Sequence, residues 1–87
     1  MINKLNEIAS TKYNNYNDIL KLVEETTELN EVLIKFINKN TLNKNDLADE
    51  IADVEIMLNR IKFRLNIDEK VLHRKHFKIK RQLERLK

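Results

Sequence analysis

Not one glycine or proline occurs in the 87 residues of the chain, where typical usage would supply about 7% and 5%. The residues on which tight turns most depend are missing, which points to long helices joined by few breaks. Asparagine takes over part of their role. It clusters at Asn14, Asn15 and Asn17 and again at Asn38, Asn40, Asn43 and Asn45, and asparagine both caps helix N-termini and tolerates the left-handed backbone that ends a helix.

Residues 1–16 carry a weak apolar rhythm, Ile2, Leu5, Ile8, Tyr13 and Tyr16, and are expected to form a short or frayed helix. A single helical domain, residues 17–87, is expected to follow. Asn17 reads as an N-cap and Asp18 as a first-turn acid suited to the helix dipole. Apolar residues at helical spacing, among them Leu22, Leu29, Val32 and Phe36, predict a first helix from Asp18 to about Asn38. The polar run from Asn38 to Asn45 ends it and offers Asn43 or Asn45 as the next cap. A second helix is expected from about Asp46 to Leu65 on Leu47, Ile51, Val54, Met57 and Ile61, antiparallel to the first because the connection is short. Asn66 is the expected left-handed stop and Asp68 the expected cap of a third helix reaching almost to Lys87, with a thin stripe of Leu72, Ile79, Leu83 and Leu86. The expected fold is therefore all-α, an antiparallel helical hairpin plus a C-terminal helix.

A domain this small buries only about 60% of the surface its unfolded chain exposes, and such folds usually need disulfides, a structural metal or a partner subunit. Cysteine is absent, and His73 and His76 stand without thiolates, so assembly into an oligomeric helical bundle is the expected remedy. A second apolar stripe on the second helix, Ala48, Ala52, Ile56 and Phe63, points away from the first helix and suits such a contact. The opening MINKLNEIASTKYNN has no apolar signal core, and no apolar run is longer than that of Val32 to Ile34, far short of the ~20 residues that cross a bilayer. A soluble, cytoplasmic protein is expected, with no membrane partner.

The carboxylates are more informative. With each helix wound at about 100° per residue, Glu25 falls between the directions of Val32 and Phe36, Glu28 lies at the edge of the apolar arc and Glu24 further out. On the second helix Glu50 projects between Met57 and Ile61, with Asp53 flanking it. Acidic residues on a helix are ordinarily a solvated face. Two neighbouring helices that both turn carboxylates inward would repel unless cations are present, and all-oxygen ligation favours Mg²⁺ or Mn²⁺ over zinc. The residues alone leave both readings open.

Glu24-Glu25-Thr26-Thr27-Glu28, then 21 residues, then Glu50-Ile51-Ala52-Asp53 resembles the EExxE…ExxD signature of the all-α nucleoside triphosphate pyrophosphohydrolase superfamily, which includes MazG, the dimeric dUTPases and the HisE type. The surrounding KLVEETTEL, LADEIADVEIML and NIDEKVLHRKHFKIKRQLERL are similar to MazG-like members, small phage and Firmicute ones in the last case, and the likeness covers about residues 17–87. The resemblance implies hydrolysis of a (d)NTP to the monophosphate and pyrophosphate, with Mg²⁺, or alternatively Mn²⁺, on Glu25, Glu28, Glu50 and Asp53. It implies Glu24 as the base that orients or deprotonates water, and a homodimer or homotetramer with sites near subunit interfaces. Lys21, Lys75, Lys78 and Arg81 are the candidates for substrate phosphate contacts.

The net charge of +3 conceals a basic tail, because residues 70–87 hold eight Lys/Arg against Glu84 alone. The competing reading is a non-catalytic helical interaction module whose tail binds a partner protein or nucleic acid. Nucleic acid is the less favoured partner, since Phe77 and the two histidines are the only residues there suited to stacking.

Overall fold

The computed structural model describes residues 15–87, and these form three α-helices with no strand. The helix expected over residues 1–16 falls largely outside the described residues. Helix α1 runs Asn15–Lys39, α2 Lys44–Arg64 and α3 Asp68–Arg85. Asn17 is therefore inside α1 and does not cap it. The helix extends through it because the next residue, Asp18, is anchored to α2, and tertiary packing sustains helix beyond what local propensity would.

The breaks are made by asparagine. Asn40, just past α1, has φ 51°, and Asn66, just past α2, has φ 55°. Each occupies the left-handed position usually given to glycine. Asn43 caps α2, its side-chain oxygen accepting from the backbone N–H of Asn45 at 3.0 Å and of Asp46 at 3.2 Å. At the other end, the N–H of Asn66 donates to the Phe63 carbonyl and that of Ile67 to the Lys62 carbonyl, the pattern of a Schellman stop. Ile67 also serves as the N-cap of α3, since the Val71 N–H donates to its carbonyl at 2.9 Å. With the two helices sharing Ile67, Asp68 is left as the first residue of α3, where with Glu69 it faces the positive end of the helix dipole.

Helices α1 and α2 form the packed unit. Asp18, near the start of α1, meets Arg64, at the end of α2, while the middle of α1 meets the middle of α2 around the carboxylates, so the two run antiparallel. Helix α3 meets α2 only sparsely, does not touch α1, and buries none of its residues. Among the described residues the buried apolar core is Val54 and Met57. The radius of gyration is 15.8 Å, against about 12 Å for a compact chain of this length. The accessible surface is 7389 Å², against about 5,400 Å² for a compact monomer of this mass. Ile19, Val23, Ile37, Ile56 and Leu72 are among the large apolar side chains left exposed. No helix among the described residues is long and apolar enough to cross a membrane.

Candidate metal centre

Glu25 and Glu28 on α1 stand one turn apart, and Glu50 and Asp53 do the same on α2. This i, i+3 spacing places each pair on one helix face. Packing the hairpin brings the pairs together, and one carboxylate oxygen from each of the four residues lies within 4.8 Å of the others. Burial is graded: Glu25 is 6% exposed, Glu28 and Glu50 are half-buried, and Asp53 is exposed. Glu24 lies outside the group, its side chain 57% exposed.

Two oxygens in the cluster are left without hydrogen bonds. Glu25 Oε2 and Glu50 Oε2 are both buried and neither accepts one, an arrangement that costs free energy unless a cation or donor answers it. The hydroxyls of Thr26 and Thr27, which share the turn with Glu25, are committed elsewhere, both donating to the Val23 carbonyl at 3.0 and 2.7 Å. Lys21 is paired with the cluster. Its Nζ is 3.0 Å from Glu25 Oε1 and 3.6 Å from Glu24 Oε2, and the hydrogen bond to Glu25, with the charges of Glu24 and Glu25, holds its pKa above the usual lysine value.

Glu28 reports the crowding. The charge of Glu25 first, then loss of solvent, then the charges of Glu50 and Glu24 raise its pKa above 4.5, with Lys21 acting the other way. A carboxyl whose folded pKa exceeds its unfolded one binds more protons folded than unfolded, so stability falls as pH rises through that interval. In metal-free protein, unfolding free energy from urea titrations is expected to decline as pH rises from about 4.5 through the raised Glu28 pKa, and then level. Glu28→Gln is expected to remove that part of the decline, and an unchanged profile in the variant would assign it to other groups.

The donor set fits a hard divalent ion. All four donors are carboxylate oxygens, and an ion with metal–oxygen distances of about 2.1 Å spans about 4.2 Å between opposite ligands, so small side-chain rotations close a 4.8 Å group around it. Absence of sulfur and nitrogen donors disfavours zinc.

The other candidates fall in two places. Lys21 is at the cluster. Lys75 and Lys78 line a shallow groove on α3 with Ile67, Lys70, Val71 and Arg74, and Arg81 lies 5.8 Å from the centre of the Phe77 ring. None of these three lines the clefts that adjoin the carboxylates.

A second polar group went unread in the sequence. The Asp18 side chain is 2% exposed, with Arg64 Nε 2.8 Å from Oδ2 and Arg60 Nη1 3.7 Å from Oδ1. The Arg64 contact is a close ion pair whose angle falls short of a well-aimed hydrogen bond. The signal was present in phase: Asp18 stands on the face of Leu22, Glu25 and Leu29, and Arg64 on that of Met57 and Ile61. Compared with family models, curated proteins and solved structures, the chain matches none.

Proposed function

We propose that the chain is a Mg²⁺-dependent nucleoside triphosphate pyrophosphohydrolase, converting (d)NTP and water to (d)NMP and pyrophosphate. The observation that carries the reading is the convergence of both halves of the EExxE…ExxD pattern on one group of four oxygens within 4.8 Å, with a buried glutamate oxygen left without a hydrogen bond. Glu25, Glu28, Glu50 and Asp53 hold the ion. Once bound, Mg²⁺ neutralises charge on the phosphoryl oxygens and lowers the pKa of water. Glu24, exposed beside the cluster, orients the attacking water and accepts its proton. The water oxygen forms a bond to the α-phosphorus, the bond from that phosphorus to the α,β-bridging oxygen breaks, and pyrophosphate departs with the electron pair.

The test is release of pyrophosphate and monophosphate from a panel of canonical, deoxy and modified NTPs with Mg²⁺. Wild type is expected to be active, and Glu25→Gln and Asp53→Asn inactive. Glu24→Gln is expected to lower kcat by about 10²–10⁴-fold, the usual contribution of a general base, while still binding Mn²⁺. No release from any substrate by folded wild type would move the assignment to a helical interaction module. That alternative draws on the basic face of α3, where Phe77 is exposed with Arg74 4.7 Å and Arg81 5.8 Å from its ring centre.

The same reading includes a homodimer or homotetramer. The excess surface and the exposed apolar residues of the hairpin and α3 support it, and so does a third helix that meets the other described helices only sparsely. Lys75, Lys78 and Arg81 then contact substrate phosphate from the α3 of a neighbouring copy. Light scattering after gel filtration is expected to give twice or four times 10.5 kDa, and Ile56→Asp to shift the mass toward a single chain. A monodisperse 10.5 kDa particle would reject assembly.

A further inference from the structure

Helix α3 carries two separate surfaces. Wound at about 100° per residue, Leu72, Ile79, Leu83 and Leu86 fall within an arc of about 60°. Lys70, Arg74, Lys78, Arg81 and Arg85 fall within another of about 80°, centred about 150° from the first. These cations follow one another at three or four residues and so make a continuous ridge along one side of the helix, and each is exposed. Asp68, Glu69 and Glu84 lie off the ridge, and among the described residues none of its cations joins an ion pair. Like charges one turn apart destabilise a helix, and α3 has little packing against the other described helices to offset that.

Phe77 borders the ridge and not the apolar stripe. Its ring is 49% exposed, with Arg74 4.7 Å and Arg81 5.8 Å from its centre. His73, one turn earlier on the same flank, stands about 6 Å away along the axis. In a helix lying on a lipid surface the aromatics belong with the apolar face, and here the ring is on the other side. An acidic protein face would use the charges and leave the ring idle. A strand of nucleic acid uses both, phosphates against the cations and bases against the rings.

We propose that this face of α3 binds single-stranded nucleic acid, with the ridge cations along the phosphodiester backbone and bases stacked on Phe77 and His73. A single strand is the form that fits, because its bases are free to splay onto aromatic rings, whereas those of a duplex are closed against one another. By residue count alone this partner is the weaker expectation, since the rings are few; their place beside the ridge reverses that weight. The proposal needs no metal and holds whether or not the carboxylate cluster turns over nucleotides. Lys78 and Arg81 are also candidates for substrate phosphate, so the test leaves both in place.

The experiment follows the fluorescence anisotropy of a labelled oligothymidylate strand, about 16 nucleotides long, titrated with the full chain across a range of NaCl concentrations. EDTA is present throughout, which keeps metal-bridged contacts at the carboxylates out of the reading. With a slope of about −0.7 for each phosphate neutralised on a single strand, five contacts are expected to give a log–log salt slope of about −3.5. Lys70→Gln with Arg74→Gln and Arg85→Gln is expected to bring the slope to about −1.4. Phe77→Leu is expected to weaken binding about 5- to 150-fold, the usual share of one stacked base, with the slope unchanged, and Phe77→Trp to keep the affinity. No binding at the lowest salt, or a slope that the triple variant does not move, overturns the proposal. Wild-type affinity in Phe77→Leu overturns the strand assignment and leaves charge alone. Equal or tighter binding of poly-glutamate would assign an acidic protein instead, and of phosphatidylserine vesicles a membrane, and either overturns the proposal. Should the triple variant lose helix by circular dichroism, Lys70→Gln with Arg85→Gln serves in its place, with a slope of about −2.1 expected and an unchanged slope decisive against the proposal.

Discussion

At fixed protein concentration, Mg²⁺ or Mn²⁺ at a hundredfold excess over its Kd is expected to raise the unfolding temperature of the wild type by about 10–20 °C, and Glu25→Gln to abolish the rise. The magnitude follows from linkage. A ligand at 100 Kd that binds only the folded state contributes about 2.7 kcal/mol, and for a domain of this size each kcal/mol moves Tm by about 4–8 °C. The effect is concentrated at Glu25 because it is the most buried of the four carboxylates and has an oxygen without a hydrogen bond. The measurement is a thermal melt followed by circular dichroism with and without metal. A rise of the same size in Glu25→Gln would place the ion elsewhere, and no rise in wild type would reject the metal centre.

Asp18→Ala is expected to cost about 3–5 kcal/mol, the usual penalty for removing one partner of a buried ion pair, because it takes the carboxylate away from an Arg64 side chain that is only 6% exposed. Replacing the pair as Asp18→Leu with Arg64→Met is expected to recover most of that loss, since apolar residues of similar volume commonly match a buried ion pair in stability. Urea unfolding at constant protein concentration reads both variants. A loss below about 1 kcal/mol for Asp18→Ala, the level of an exposed pair, would show that the contact contributes little. A double variant as unstable as the single one would assign Asp18 a role beyond charge pairing.

Much of the hairpin is legible in the sequence, since helical phase alone turns Glu25 and Glu50 toward the apolar side, and the structure brings them together with Glu28 and Asp53. Asn43 and Asn66 are readable for a local reason: one accepts from N–H groups two and three residues ahead, and the other holds a backbone conformation few residues tolerate. Reading fails where the deciding partner is distant. Asp18 suits a helix dipole on local grounds, yet its neighbours are Arg60 and Arg64 on another helix; the same anchoring carries α1 past Asn17. Asp68 looks like a cap until the Schellman stop of α2 assigns that position to Ile67. The positions of Lys75, Lys78 and Arg81 relative to the carboxylates depend on how α3 is covered, and helical phase within one chain carries no information on that.

Among the described residues, the sparse attachment of α3 to the hairpin gives the two cooperative units different opening energies. Eighteen residues of isolated helix are only marginally stable in water, so the amide protons of α3 exchange through local opening, whereas those of α2 around Val54 and Met57 wait for the hairpin to separate. Burial of α3 by a neighbour would draw the two sets of exchange rates together. The protection of its amides is thus an internal gauge of how much of the third helix's order comes from contacts beyond the hairpin.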